Sequence, residues 1–225
     1  NTDGSVTVAL SPIVSTSQTL KKGDTKDIYA MKFQAIAGKV AINRVDVNFS
    51  VRPWLIASQL VLKNSNGTVL ATKTLSSSAD ATEIVAGSDY AVRFDGLNEI
   101  VTPGADTNLI VSISVPASNS FVGTTGYTTV YATVKTNGIR TINGKGYTDS
   151  IGIQSTVTSG NVLTMSSTGN TADLSVTLAP TAPGTAPINI NSTGADKTGV
   201  TLAVYRVRSS NQPSTLNTLL FNIKT

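Results

Sequence analysis

Carboxylates are the only acid–base chemistry this chain carries in quantity, because histidine and cysteine are both absent. The commonest general base and the commonest zinc ligand are therefore missing, as is thiolate chemistry. Glu83 and Glu99 are the only two glutamates. Glycoside hydrolysis needs two carboxylates flanking a sugar, usually in a cleft with aromatic walls. One tryptophan and 5% aromatic residues do not announce such a cleft, so the pair reads as solvated turn residues. Asp24, Asp27, Asp89 and Asp95 could lend oxygens to calcium, which needs six or more. They follow no D-x-[DN]-x-[DN]-G spacing, and turn aspartates that bond their own backbone explain them better. No cofactor or metal is expected.

Two further groups could act by binding. Trp54 follows Arg52-Pro53, and with Tyr90 it could form a platform for a sugar ring; a lone tryptophan more often seals a β-sandwich core. Asn48, Asn66 and Asn191 begin N-x-[ST] sequons. Asn66 falls at a hairpin tip and Asn191 in a loop, so these two are the glycosylation candidates, whereas Asn48 falls within a strand.

Composition narrows the field. Apolar residues make up 40% and charged residues 13%, enough for a core and well under the usual quarter of charge. Thr, Ser, Asn, Gly, Val and Ala dominate, a bias that suits strands and turns. The net charge of +4 is scattered, with Lys21-Lys22 the only adjacent basic pair, so nucleic-acid binding is not expected. No run of apolar residues is long enough to span a membrane, and no membrane insertion is expected. The opening Asn-Thr-Asp-Gly suits a mature form after leader removal.

The elements that would hold these residues are strands. Alternating apolar residues separated by Gly, Asn, Asp, Ser and Pro recur at short intervals. They include Val6 to Leu10, Tyr29 to Phe33, Val40 to Phe49, Tyr90 to Phe94, Leu109 to Val115, Thr128 to Lys135, Ile139 to Ile142 and Val162 to Met165. Asn64-Ser65-Asn66-Gly67 marks a hairpin. A phase slip at Asn43-Arg44 marks a bulge. The pattern predicts an all-β, antiparallel β-sandwich.

The chain also repeats itself. Val6, Val8, Leu10 and Pro12 match Leu174, Val176, Leu178 and Pro180. Ile28, Met31 and Phe33 match Val200, Ala203 and Tyr205, and Ile42 to Phe49 matches Leu216 to Ile223. The expected organisation is a complete module over 1–166, a linker over 167–172, and a partial second module over 173–225.

The run SVTVALSP, DIYAMKF, INRVDVNF, QLVLKNSNGTVLATKTL and YAVRFDGLNEIVTPGADTNLIVSISV resembles the Ig-like β-sandwich repeats of secreted bacterial surface proteins. The resemblance covers about residues 4–166 and begins again at 173. It implies a secreted, cell-surface location and a structural or adhesive role.

Three functions follow as expectations. In the first, the chain is a subunit of an extracellular filament, a head-to-tail polymer of copies of itself joined by β-strand complementation. Val6, Val8 and Leu10 would then be a donor strand, and Leu174, Val176, Leu178, Val204, Leu219 and Phe221 the acceptor half-module. In the second, it is a fragment of a tandem-Ig surface stalk, adhesin or S-layer-like protein. In the third, it is a carbohydrate-binding module of a secreted enzyme, with Trp54 and Tyr90 on a surface glycan. None of the three makes the chain itself an enzyme.

Overall fold

Alternation of apolar and polar side chains puts one face of a strand into a core, as around Val6 and Leu60, whereas Ile28–Met31, Val45–Phe49 and Leu109–Ile113 are buried on both faces. A computed structural model describes residues 3–169, 173–184, 199, 201–210, 215–218 and 220. Asn1–Gly169 and Asn170–Thr225 are two compact units.

The first unit is an all-β sandwich. In chain order its strands begin β1 (Ser5–Leu10), β2 (Ser17–Lys22), β3 (Thr25–Ile36) and β4 (Val40–Phe49). A single helical turn, α1 (Pro53–Ile56), precedes β5 (Gln59–Asn64), β6 (Val69–Thr74), β7 (Thr82–Val85) and β8 (Asp89–Phe94). Then come β9 (Glu99–Val101), β10 (Asp106–Ser114), β11 (Thr129–Thr133), β12 (Ile139–Asn143), β13 (Thr148–Ile151) and β14 (Asn161–Gly169).

One sheet runs β1-β3-β10-β5-β6, and every pairing in it is antiparallel. The other runs β13-β12-β4-β11-β14-β2, with β8 and β9 also on β4 and β7 on β8. Their facing sides share one core, which includes Phe33, Phe49, Phe94, Leu60, Leu62, Leu109, Val111 and Leu163. The buried Asn161 side chain donates to the Ile28 carbonyl at 2.9 Å, tying β14 of one sheet to β3 of the other.

β4 organises the second sheet. On one edge it carries β8 opposite Val45–Phe49 and β9 opposite Val40–Ile42. On the other it carries β11 opposite Asn48 and Phe49, then β12 opposite residues 40–45. Both flanking strands run the same way along β4, so each is one interrupted strand with an excursion. Residues 134–138 form the second excursion, which closes when the Asp46 amide donates to the Gly138 carbonyl. Asn137 there adopts a positive φ of 66°, a left-handed conformation that asparagine tolerates.

The expected bulge is present: Arg140 pairs with Arg44 and Thr141 with Ile42, so Asn43 is the extra residue. Other expectations are corrected. The sheet containing β14 is mixed, because β14 runs parallel to β2. Ser17–Lys22, which has a single strongly apolar residue, is a strand, paired to β14 with Leu20 buried in the core. The first residues of the expected 167–172 linker belong to β14. Strand alternation turns Ile110 away from Val111 and the main core, yet it is buried with Val14 and Ala30 beneath the connection after β1.

The second unit contains β15 (Asp173–Leu178) and β16 (Tyr205–Ser210), an antiparallel pair. Its expected third strand, Leu216 to Ile223, is not a strand at the described positions 215–218 and 220. Leu219 and Phe221 lie outside the described residues, as does Asn191.

Candidate functional site

The repeat seen in sequence reappears as a repeated strand pairing. In the first unit Val8 faces Phe33 and Leu10 faces Met31. In the second, Val176 faces Val207 and Leu178 faces Tyr205. With β15 laid on β1, Met31 therefore corresponds to Tyr205 and Phe33 to Val207. This shifts the sequence-based match by two residues and so preserves which face is apolar.

Opposed residues share a face. Val176, Leu178, Tyr205 and Val207 thus form one apolar patch, and they are 44%, 63%, 42% and 41% exposed. Ser175, Thr177, Arg206 and Arg208 form the other face. Val204 is half-buried, and its carbonyl accepts the Ala179 amide at 2.8 Å, extending the ladder past Leu178. Leu174 pairs with Ser209. In the first unit the corresponding patch is covered by the second sheet, and β3 is further paired to β10. Among the described strands, β16 pairs with β15.

The expected donor strand is not free. Val6 is buried, Val8 and Leu10 pack on the core, and β1 is laddered to β3 in its own sheet. The slot that such a strand would fill in the second unit is already occupied by β15. Sequence reasoning overlooked this because a terminal strand looks the same whether or not it has an internal partner. What β1 does present is an edge. The Ser11 amide donates to the Ala30 carbonyl directly across the ladder. Antiparallel pairs alternate between bonded and unbonded, so the main-chain groups of Val6, Val8 and Leu10 point away from β3.

The aromatic platform is also corrected. Tyr90 is only 1% exposed, and Trp54 on α1 packs edge-on against it at 5.5 Å between centroids. The Tyr90 hydroxyl donates to Glu83 at 2.8 Å and accepts from Arg52 Nε at 3.4 Å. With the Tyr90 ring buried, the two cannot form a two-residue sugar platform. The Gly87 amide also donates to Glu83 at 2.8 Å. That amide, then the tyrosine hydroxyl, holds the Glu83 carboxyl below the usual glutamate range. Glu83 is thus a poor proton donor for the chemistry considered above.

The aspartates are dispersed. Asp24 accepts the Lys21 amide at 2.9 Å and pairs with Lys26 at 3.1 Å. Asp27 pairs with Lys63 at 2.7 Å and accepts from the Ser112 hydroxyl. Among the described residues no group of three or more carboxylates could hold a metal ion. No helix among them is long and apolar enough to cross a membrane.

One polar cluster is buried. Asp89, at the start of β8, is 3% exposed. Lys135 Nζ donates to its Oδ2 at 2.6 Å, and Asn48 Nδ2 donates to its Oδ1 at 2.7 Å. Asn48 is therefore inaccessible as a sequon, whereas Asn66 is exposed in the turn between β5 and β6.

No family model matches the chain, and no curated protein matches it. Among solved structures, it is similar to one described as AvmM, which catalyses macrocyclization in alchivemycin A biosynthesis. The TM-score is 0.37 and the identity 10%, over 74% of this chain and 86% of that one. It is also similar to a family 123 glycoside hydrolase from Clostridium perfringens, with a TM-score of 0.34 and 8% identity, over 74% of this chain and 28% of the other. A third is from a dockerin–cohesin complex, at a TM-score of 0.30 and 11% identity, over 72% of this chain and all of that one. Likenesses this distant assign the chain to no family.

Proposed function

We propose that the chain is a structural subunit of an extracellular surface polymer built from copies of itself. The reading rests on the β15–β16 pair. It copies the register of β1–β3 and keeps the apolar face that such a pair buries. The joint brings the outward edge of β1 in one copy to the second unit of the next. Main-chain groups of Val6, Val8 and Leu10 pair across it, while the adjoining copy covers Val176, Leu178, Tyr205 and Val207. Such strand addition satisfies the outward edge of β1. It joins unlike surfaces, so it propagates.

The test is light scattering of the full chain against concentration. The wild type should associate. Val8→Pro removes an outward amide without touching the β1–β3 ladder, and Val176→Asp charges the apolar patch; each should give smaller species. A wild type that stays monomeric throughout the concentration series removes the proposal. A tandem surface stalk, in which further residues of the same polypeptide cover β16, is the second reading and is favoured by the repeat itself. Intact mass of the protein from its natural source separates the two.

A further inference from the structure

We propose that Lys135 and Asn48 form an intramolecular isopeptide bond, with Asp89 carrying the protons. The topology makes the juxtaposition. β4 lies between β8 on one edge and the β11–β12 strand on the other. Asp89 is on β8, and Lys135 is in the excursion after β11, so their ion pair crosses β4. The β4 residue that the pair meets is Asn48, whose own neighbours are Ala91 on β8 and Thr133 on β11.

A primary amine and a primary carboxamide thus sit on the two oxygens of one buried carboxylate, at 2.6 and 2.7 Å. The Lys135 carbonyl is fixed as well, since it accepts the Gly138 amide at 2.8 Å. A salt bridge alone would not need the amide. A capped carboxylate alone would not need an amine drawn across a strand. Holding reactants in place replaces a bimolecular step by a unimolecular one, and this alone can supply a large part of the barrier reduction for an otherwise sluggish amide exchange.

The step balances. Asp89 takes one proton from the Lys135 ammonium, leaving a neutral amine. Nζ attacks Cγ of Asn48, forming the N–C bond. Asp89 returns its proton to Nδ2, and the Cγ–Nδ2 bond breaks. The second proton lost from Nζ leaves with the departing nitrogen, which exits as ammonium. Asp89 ends as a carboxylate, and no oxidant, reductant or cofactor is consumed. The product ties the centre of the second sheet to the excursion beside it.

The test is intact mass of the purified full chain, followed by digestion. The expected wild type is lighter than its sequence by one ammonia, about 17 Da. Digestion should yield a branched peptide joining the segments that hold Asn48 and Lys135. Lys135→Arg keeps the ion pair to Asp89, but its guanidinium is not a nucleophile here. It should have the full mass and no branched peptide. Asp89→Ala keeps both reacting groups and should also lack the branch. Full mass in the wild type overturns the proposal. So does a branch to Asp89 with loss of water, or a mass deficit that survives in Lys135→Arg.

Discussion

Val176 lies opposite Val207 in the second unit as Val8 lies opposite Phe33 in the first. The first pair is largely exposed; in the second, Phe33 is buried and Val8 packs on the core. The same local pairing thus meets opposite surroundings, and that contrast separates stability from assembly by mutation.

We predict that Val6→Asp and Val176→Asp diverge. Val6 is buried on the core side of β1, so a charge there should cost about 3 kcal/mol. Thermal unfolding of the first unit should register it. Val176→Asp should leave that transition in place and change only particle size. Equal effects on unfolding would show that the two pairs are not in different surroundings.

In β10, Val111 faces the main core and Ile110 the small cluster with Val14 and Ala30. Both are covered, so both aspartate variants should destabilise. Val111→Asp should cost about 3–5 kcal/mol, as an unpaired buried charge does. Ile110→Asp should cost about 1–3 kcal/mol, since the thin cover over it can shift. Denaturant midpoints decide it, and a larger loss at Ile110 would show that the small cluster is the stiffer one.

Glu83 gives a pH dependence. Its folded-state pKa lies below the ordinary value, chiefly through the Gly87 amide. The bound carboxylate therefore stabilises the fold above the unfolded-state value, and this is lost as pH falls through the folded one. The wild type should melt higher than Glu83→Gln near neutrality, and the gap should close below about pH 4, around the ordinary glutamate value. A constant gap from neutral to acid pH would refute the assignment.

Residues 1–169 should fold alone, with one cooperative transition by circular dichroism. The core shared by both sheets, from Val6 to Met165, lies within that unit. A broad, non-cooperative melt would move the boundary.

The strands with strong alternation were legible: β1, β3, β4, β8, β10 and β12 were readable from their own residues. So was the bulge at Asn43, because an extra residue must invert the apolar phase. Ser17–Lys22 and Thr148–Ile151 were not, since each has few apolar residues and is a strand only because a neighbour pairs with it. The candidate site divided in the same way. The apolar patch on β15 could be read as periodicity. The Asn48–Asp89–Lys135 cluster could not, because its members come from three separate segments and only the pairing around β4 brings them together. The short excursion holding Lys135 carries one signal, Asn137-Gly138, and that marks a turn rather than a contact.

β14 has consequences for force. It is laddered on both edges, antiparallel to β11 and parallel to β2. It is also the strand by which the chain leaves the first unit. Tension entering through Gly169 along the strand axis cannot peel β14 open one bond at a time. It must slide the strand past two neighbours at once, so the ladder bonds share the load. A surface stalk or filament strung through this exit would yield last at the point where the chain is pulled.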